Sequence, residues 1–119
     1  MRFSLLLLVL YQKLKRASKN NDAFKSYIST MRARILIRTT DRKRGRLFVF
    51  DRGRLTSLQG GNHPQFDVAL VWSDAGTAYK VMASGSDEKS FKAAAQGKLK
   101  VEGMAVFAQW FTDGVKLIL

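Results

Sequence analysis

The segment Ala93-Ala94-Ala95-Gln96-Gly97-Lys98-Leu99-Lys100-Val101-Glu102-Gly103 changes its hydrophobic period halfway along, and the chain on either side can be read outward from that change. Before it, Ser86 followed by Asp87 and Glu88 opens a helix whose Phe91, Ala94 and Ala95 are expected to face inward, with Gly97 as the stop. Leu99 to Glu102 alternates apolar and charged residues, the period of a short strand buried on one face. Past Gly103, residues Met104, Phe107, Ala108 and Phe111 return to helical spacing, Asp113-Gly114 closes them, and Val115 to Leu119 is an apolar tail.

Upstream, Ser73 can cap a helix with Ala75, Ala78, Tyr79 and Met82 on one face and Gly85 at its end. A strand precedes it from Phe66 to Trp72, with Phe66, Val68, Leu70 and Trp72 on one face and Asp67, Ala69 and Val71 on the other. The loop before that strand holds Gly60, Gly61, Asn62, His63 and the only proline, Pro64. Three more strands form a meander. In the first, Ala33, Ile35 and Ile37 alternate with Arg32, Arg34, Leu36 and Arg38; the turn Asp41 to Gly45 leads to Arg46–Asp51, and Asp51-Arg52-Gly53-Arg54 leads to Leu55–Gln59. Ala23 to Thr30 has helical spacing, with Phe24, Tyr27, Ile28 and Met31 as its apolar stripe, after a capping break at Ser18 to Asp22.

The N-terminus is a further helix, with Phe3, Leu6, Leu7, Leu10 and Leu14 on one face and Lys13, Lys15 and Arg16 at its end, where cations complement the helix dipole. It imitates a secretory signal, but Tyr11-Gln12-Lys13 stands where a small-residue cleavage site belongs, so the mature chain is expected to retain Met1 or Arg2. Its apolar stretch, Phe3 to Leu10 with Ser4 inside it, falls far short of the ~20 residues that span a bilayer. A patch this apolar needs a cover: the domain itself, a second subunit or a membrane interface.

All 119 residues fit one domain, and a composition 46% hydrophobic supports a proper core. The chain has no cysteine and one histidine, which excludes disulfide scaffolds, thiolate chemistry and most metal and triad sites. The net charge of +12 lies entirely in residues 1–58, and the remainder is neutral. A basic half beside a neutral apolar half points to a polyanionic partner, an anionic membrane or nucleic acid, with a merely solubilising face as the plainer alternative.

Residues 67–118 resemble the sterol carrier protein 2 family. The likeness rests on Asp67-Val68-Ala69-Leu70-Val71-Trp72-Ser73-Asp74, on residues 93–103, and on the helix from Met104; residues 24–60 match in pattern alone. The resemblance implies an α+β fold in which a five-stranded, mainly antiparallel sheet is covered on one face by helices. A hydrophobic tunnel between the layers would hold a sterol, fatty-acyl or isoprenoid lipid, without catalysis, metal or cofactor. The expected organisation is a single domain, 1–119, with an apolar N-terminal helix at 1–17 and the carrier-like part at 22–119. The expected pocket residues are Phe48, Phe50, Leu70, Trp72, Tyr79, Met82, Phe91, Met104, Phe107 and Phe111. Arg32, Arg34, Arg38, Arg42, Lys43, Arg44 and Arg46 are the expected membrane-facing cations. Such a carrier would exchange ligand with membranes or a partner enzyme. It would be cytoplasmic and peripheral on a membrane, with a homo-oligomer open through the N-terminal helix.

Three rival signals are weaker. Gly97-Lys98 is no phosphate loop, because Lys92 replaces the upstream glycine. Arg44-Gly45-Arg46-Leu47-Phe48-Val49 echoes an RNA-recognition strand, but Arg46 and Asp51 stand where aromatics belong. His63 could pair with Ser57 or Asp67 but has no identifiable orienting partner, and reads as a loop residue. The different-class alternative is a nucleic-acid-binding module using the meander at residues 32–54.

Overall fold

A computed structural model describes residues 2–118; Met1, and Leu119 at the end of the apolar tail, lie outside the described residues. The chain runs α1 (Arg2–Asn20), α2 (Asp22–Ile28), β1 (Arg32–Thr39), β2 (Gly45–Asp51), β3 (Arg54–Gln59), β4 (Val68–Trp72), α3 (Ala75–Ser84), α4 (Asp87–Ala95), β5 (Leu99–Gly103) and α5 (Ala105–Lys116). The strands form one sheet in the order β3-β2-β1-β4-β5. Every neighbouring pair is antiparallel except β1 and β4, which are parallel.

Local chemistry explains the boundaries. The Asn21 side chain accepts the Phe24 amide at 3.1 Å, so the polar break becomes the N-cap of α2 and separates it from α1. At the β2–β3 hairpin, Arg52 and Gly53 both take positive φ (48° and 94°), the geometry of a two-residue turn that follows the twist of its strands. The tip is pinned to the helices, because the Arg52 and Gly53 amides donate to Met31 and Ile28 carbonyls at 2.8 and 3.1 Å. Gly103 ends the helix-to-strand segment of residues 93–103: its φ is +88°, and a Cβ there would lie 2.5 Å from the Asp67 carbonyl oxygen.

One face of the sheet carries the main core. Ala33, Ile35, Ile37, Phe48, Phe50, Leu55, Val68 and Trp72 point into it, and Phe3, Leu7, Leu14, Phe24, Ile28, Ala78, Ala93 and Phe111 come down from the helices. The N-terminal helix is therefore covered by its own domain. It is fixed further where Lys15 Nζ donates to the Leu55 carbonyl at 2.7 Å, tying α1 to β3. Leu5 and Val9 remain exposed on its outer side.

The other face has no helix. Its buried patch is Leu36, Leu47, Ala69 and Val71, with Val49 and Phe66 packed on it. The 60–67 connection covers it, because a chain leaving β3 at one edge and entering β4 beyond β1 must cross β2 and β1. Phe66 accordingly belongs to this outer patch, not to the face of Val68, Leu70 and Trp72; it precedes the strand, so strand alternation does not govern it. The connection ends by pairing with β1, where the Arg34 amide donates to Asp67 Oδ2 at 2.7 Å and the Asp67 amide to the Arg34 carbonyl at 3.0 Å.

Three helix expectations need correction. The N-cap of α3 is Asp74 and not Ser73, because the Asp74 side chain accepts the Thr77 amide at 2.7 Å. The inward residue of α4 is Ala93, and Phe91, Ala94 and Ala95 are all exposed. Gly114 does not end α5, which continues to Lys116. A side chain at Gly114 would meet Tyr27 Cε2 at 2.9 Å, so here glycine serves close packing with α2.

Candidate functional site

Eight of the ten expected pocket residues meet in one apolar layer. Phe48, Phe50, Trp72 and Phe111 are buried in the main cluster, and Leu70, Tyr79, Met82 and Phe107 pack against it. Phe48 and Phe50 alternate inward along β2, and Phe111 descends between them with ring centroids 5.5 and 6.1 Å away. Phe91 and Met104 do not join: they are 73% and 56% exposed. The reason for Phe91 is rotational, since Ala93 two residues on sits about 200° around the helix and takes the inward position. Met104 lies just before α5, as its N-cap, outside the stripe that starts with Phe107.

Trp110 is absent from the expected pocket residues and is central. It stacks on Tyr27 with centroids 5.5 Å apart and meets Phe50 edge-on at 4.9 Å, while its carbonyl accepts the Tyr27 hydroxyl at 2.7 Å. Burial, and secondarily Asp113, raises the Tyr27 pKa above its ordinary value, so the hydroxyl stays a donor. The sequence does carry the signal, because positions 107, 110, 111 and 114 form one helical stripe.

The layer is closed by its own side chains. The crevice where Leu14, Phe24, Phe50, Trp110 and Gly114 meet has no room for a water molecule. A larger crevice of about 310 Å³ lies elsewhere, on the polar flank of α1 beside Tyr11, Lys15, Arg16 and Lys19, and includes none of the expected pocket residues. It is a groove open to solvent, walled by Tyr11 and by Gln12, Lys15, Arg16, Lys19 and Asn20.

The basic residues divide by position. Arg32, Arg34, Arg42 and Lys43 are exposed, and Arg44 is half-buried. Arg32 and Arg34 share the helix-free face of the sheet with Arg54 of β3 and Lys100 of β5, by strand alternation and pairing. The turn that presents Arg42 and Lys43 is organised by Asp41, whose Oδ1 accepts from Thr39 Oγ1 at 2.6 Å and from the Lys43 amide at 3.0 Å. Those bonds, the Thr39 one foremost, hold the Asp41 carboxyl below its ordinary pKa.

Arg38 is not a surface cation. It is 5% exposed, and its guanidinium donates to Glu102 Oε1 at 3.0 Å and to the Thr39 carbonyl at 3.0 Å. It shares a strand and a face with the exposed Arg34, and is enclosed because Glu102 of β5 and the Thr39 and Thr40 carbonyls gather around its guanidinium. Arg46 is half-buried and turned to the helical side, donating to Ser57 Oγ at 2.7 Å and lying 5.9 Å from the Tyr11 ring centroid. Neither pairing considered for His63 forms, since its Nε2 faces the Gln59 carbonyl at 3.1 Å. Among the described residues no cluster of three or more metal-binding side chains occurs, and no helix is long and apolar enough to cross a membrane.

No family model matches the sequence, and no curated protein does. Solved structures do. The chain is similar to a UbiJ-SCP2 ubiquinone synthesis protein, at 15% identity over 98% of this chain and 95% of that one, with a TM-score of 0.66. A sterol carrier protein 2 matches at 16% identity over 92% and 93% of the two chains, TM-score 0.59. The apo form of sterol carrier protein 2 from Yarrowia lipolytica matches at 17% identity over 92% and 89%, TM-score 0.55. At such identities the likeness is one of fold, and in the first of these structures it extends through α1.

Proposed function

We propose that this protein, which has the fold of sterol carrier protein 2, is a lipid carrier without catalysis of its own. One observation carries the reading: eight side chains chosen as pocket residues from the sequence gather in a single apolar layer between sheet and helices, in a fold shared with named sterol carriers. An aliphatic ligand would displace part of that packing. About ten buried methylenes, at about 0.8 kcal/mol each, reach the free energy of a micromolar complex before ordering costs. Titration with fluorescent fatty acids, retinoids and a short-chain quinone should saturate at micromolar concentration or below. Absence of any saturable signal, with no lipid in native mass spectra, would overturn the reading.

The carrier would load and unload at an anionic membrane, docked through Arg32, Arg34, Arg42 and Lys43. Each such cation contributes about 1 kcal/mol near an anionic surface, so four suffice for reversible attachment that weakens with salt. Co-sedimentation should be strong with phosphatidylglycerol vesicles and weak with phosphatidylcholine, and Arg34→Glu with Arg42→Glu should abolish the difference. Equal binding to both vesicles contradicts this docking surface. The same cations leave a second reading: duplex DNA or RNA bound more tightly than vesicles at matched salt would replace the membrane as partner.

A further inference from the structure

Among the described residues, the indole N–H of Trp72 is the one buried side-chain polar atom without a hydrogen-bond partner. Trp72 is 3% exposed, so bulk solvent does not reach it. Its backbone is held in place, because the Trp72 carbonyl accepts both the Thr40 amide (2.9 Å) and the Thr40 hydroxyl (3.1 Å). The polar groups nearest in sequence and register are committed elsewhere. Thr39, its partner on β1, uses Oγ1 on Asp41 and the Arg44 backbone. Asp74 gives one oxygen to the Thr77 amide and the other to the hydroxyls of Thr77 and Ser73. Arg46 and Ser57, on this side of the sheet in β2 and β3, bond to each other. Folded proteins seldom leave a buried donor orphaned, and an acceptor carried by a ligand would satisfy this one.

We infer that the Trp72 indole N–H is the polar anchor of the ligand site, and that the ligand is a neutral lipid with an uncharged acceptor oxygen, such as a carbonyl, at one end. This rests on the carrier reading and names the headgroup chemistry. An indole only donates, so its partner must accept. An uncharged acceptor fits best, because the one buried cation among the described residues, Arg38, lies on the opposite face and is spent on Glu102 and two backbone carbonyls, and Arg2, 4.9 Å over the Tyr79 ring, is exposed to solvent. A carboxylate beside Trp72 would be a buried charge without a counterion. The cover is thin on the side of α3: that helix buries only Ala78, with Ala75, Tyr79 and Met82 partly covered around it.

The test uses the full chain, ¹⁵N-labelled at its indoles, with three probes of equal length: a long-chain methyl ketone, the alkane and the fatty acid. The ketone should bind about tenfold more tightly than the alkane, the worth of one net hydrogen bond. It should also move the Trp72 indole proton downfield while the alkane does not, with Trp110 as internal reference. Trp72→Phe should erase the ketone preference and leave alkane binding in place; should that variant fail to fold, the wild-type resonance decides alone. Equal affinity for ketone and alkane overturns the anchor and leaves the carrier reading standing. A fatty acid preferred over the ketone overturns the neutral class. An indole proton already hydrogen-bonded without ligand, and unmoved by ketone, overturns the anchor. Failure of all three probes to bind removes the carrier reading as well.

Discussion

The two faces of the sheet are built from the same strands and stabilised differently. The helical face interlocks aromatic rings from β2, α2 and α5, so that Phe48, Phe50, Trp110 and Phe111 each touch another ring. The outer face buries only Leu36, Leu47, Ala69 and Val71, under a connecting loop and beside an enclosed guanidinium. A sheet can thus be closed on one side by packing volume and on the other by a few side chains and one ion pair. The outer solution leaves cations exposed at the surface, and the helical one leaves a continuous apolar interior.

The comparison breaks if the helical face is not the stronger. Phe48→Ala removes a fully buried ring that contacts Tyr11 and Phe111, and should cost about 4 kcal/mol; Leu47→Ala, one residue away on the other face, should cost about 2 to 3 kcal/mol. Urea denaturation of both variants decides the order, and a larger loss at Leu47 reverses the assignment of the main core. Gly114→Ala sharpens the account of α5 against α2. The added methyl overlaps the Tyr27 ring, so about 2 kcal/mol of stability and much of the near-ultraviolet dichroism of the Tyr27–Trp110 stack should be lost. If Ala is tolerated, with the dichroism intact, close packing at that contact is not required.

On the outer face, Glu102→Gln takes the counterion from Arg38. Glu102 is half-exposed and Arg38 keeps its carbonyl partners, so the expected loss is about 1 to 2 kcal/mol, smaller than for a fully buried pair. Stability unchanged in the Glu102→Gln variant would mean that the backbone carbonyls alone hold the guanidinium. The smallest effect concerns Asp74, the N-cap of α3 over the helical face: Asp74→Ala should cost about 1 kcal/mol at neutral pH. Hydrogen bonds from the Thr77 amide and hydroxyl hold the Asp74 carboxyl below its ordinary pKa. Its ionised form is therefore favoured by folding, and the contribution is complete above the unfolded value of about 3.9 and is lost as pH falls through the lower folded value. Wild type and variant should converge in acid thermal melts; a gap that persists there would show a cap independent of the charge.

The sequence is most legible where periodicity is strong and a single face is buried. All five strands, the turns at Asp41–Gly45 and Arg52-Gly53, and the stop at Gly97 are readable because local chemistry determines them. Reading fails where tertiary placement chooses between two apolar options. In α4 the small Ala93 faces the sheet and the large Phe91 faces outward, a choice set by the space available beside β5 that composition does not encode. Arg38 looks identical to Arg32 and Arg34 in the alternation, yet only Arg38 meets a carboxylate from β5, and that pairing depends on a strand 64 residues away. Phe66 misleads because strand alternation does not extend into the loop that holds it. For the candidate site, the stripe of α5 is legible from Phe107, Trp110 and Phe111, whereas the stacking partner of Trp110, Tyr27, is evident only once α2 is packed beside it.

The parallel pairing of β1 with β4 also sets an order in time. β1, β2 and β3 join through short turns, so their ladders can close soon after the chain collapses. β4 reaches β1 only after the meander and a long connection have been traversed, and the entropy of closing that loop must be met before any β1–β4 bond forms. β5 can dock only on a β4 already in place. In pulse-labelled hydrogen exchange during refolding, the amides of Phe48 and Val49 should gain protection before those of Leu70 and Lys100. The half of the sheet that carries Trp72 would then be the last to be made, and the first to open.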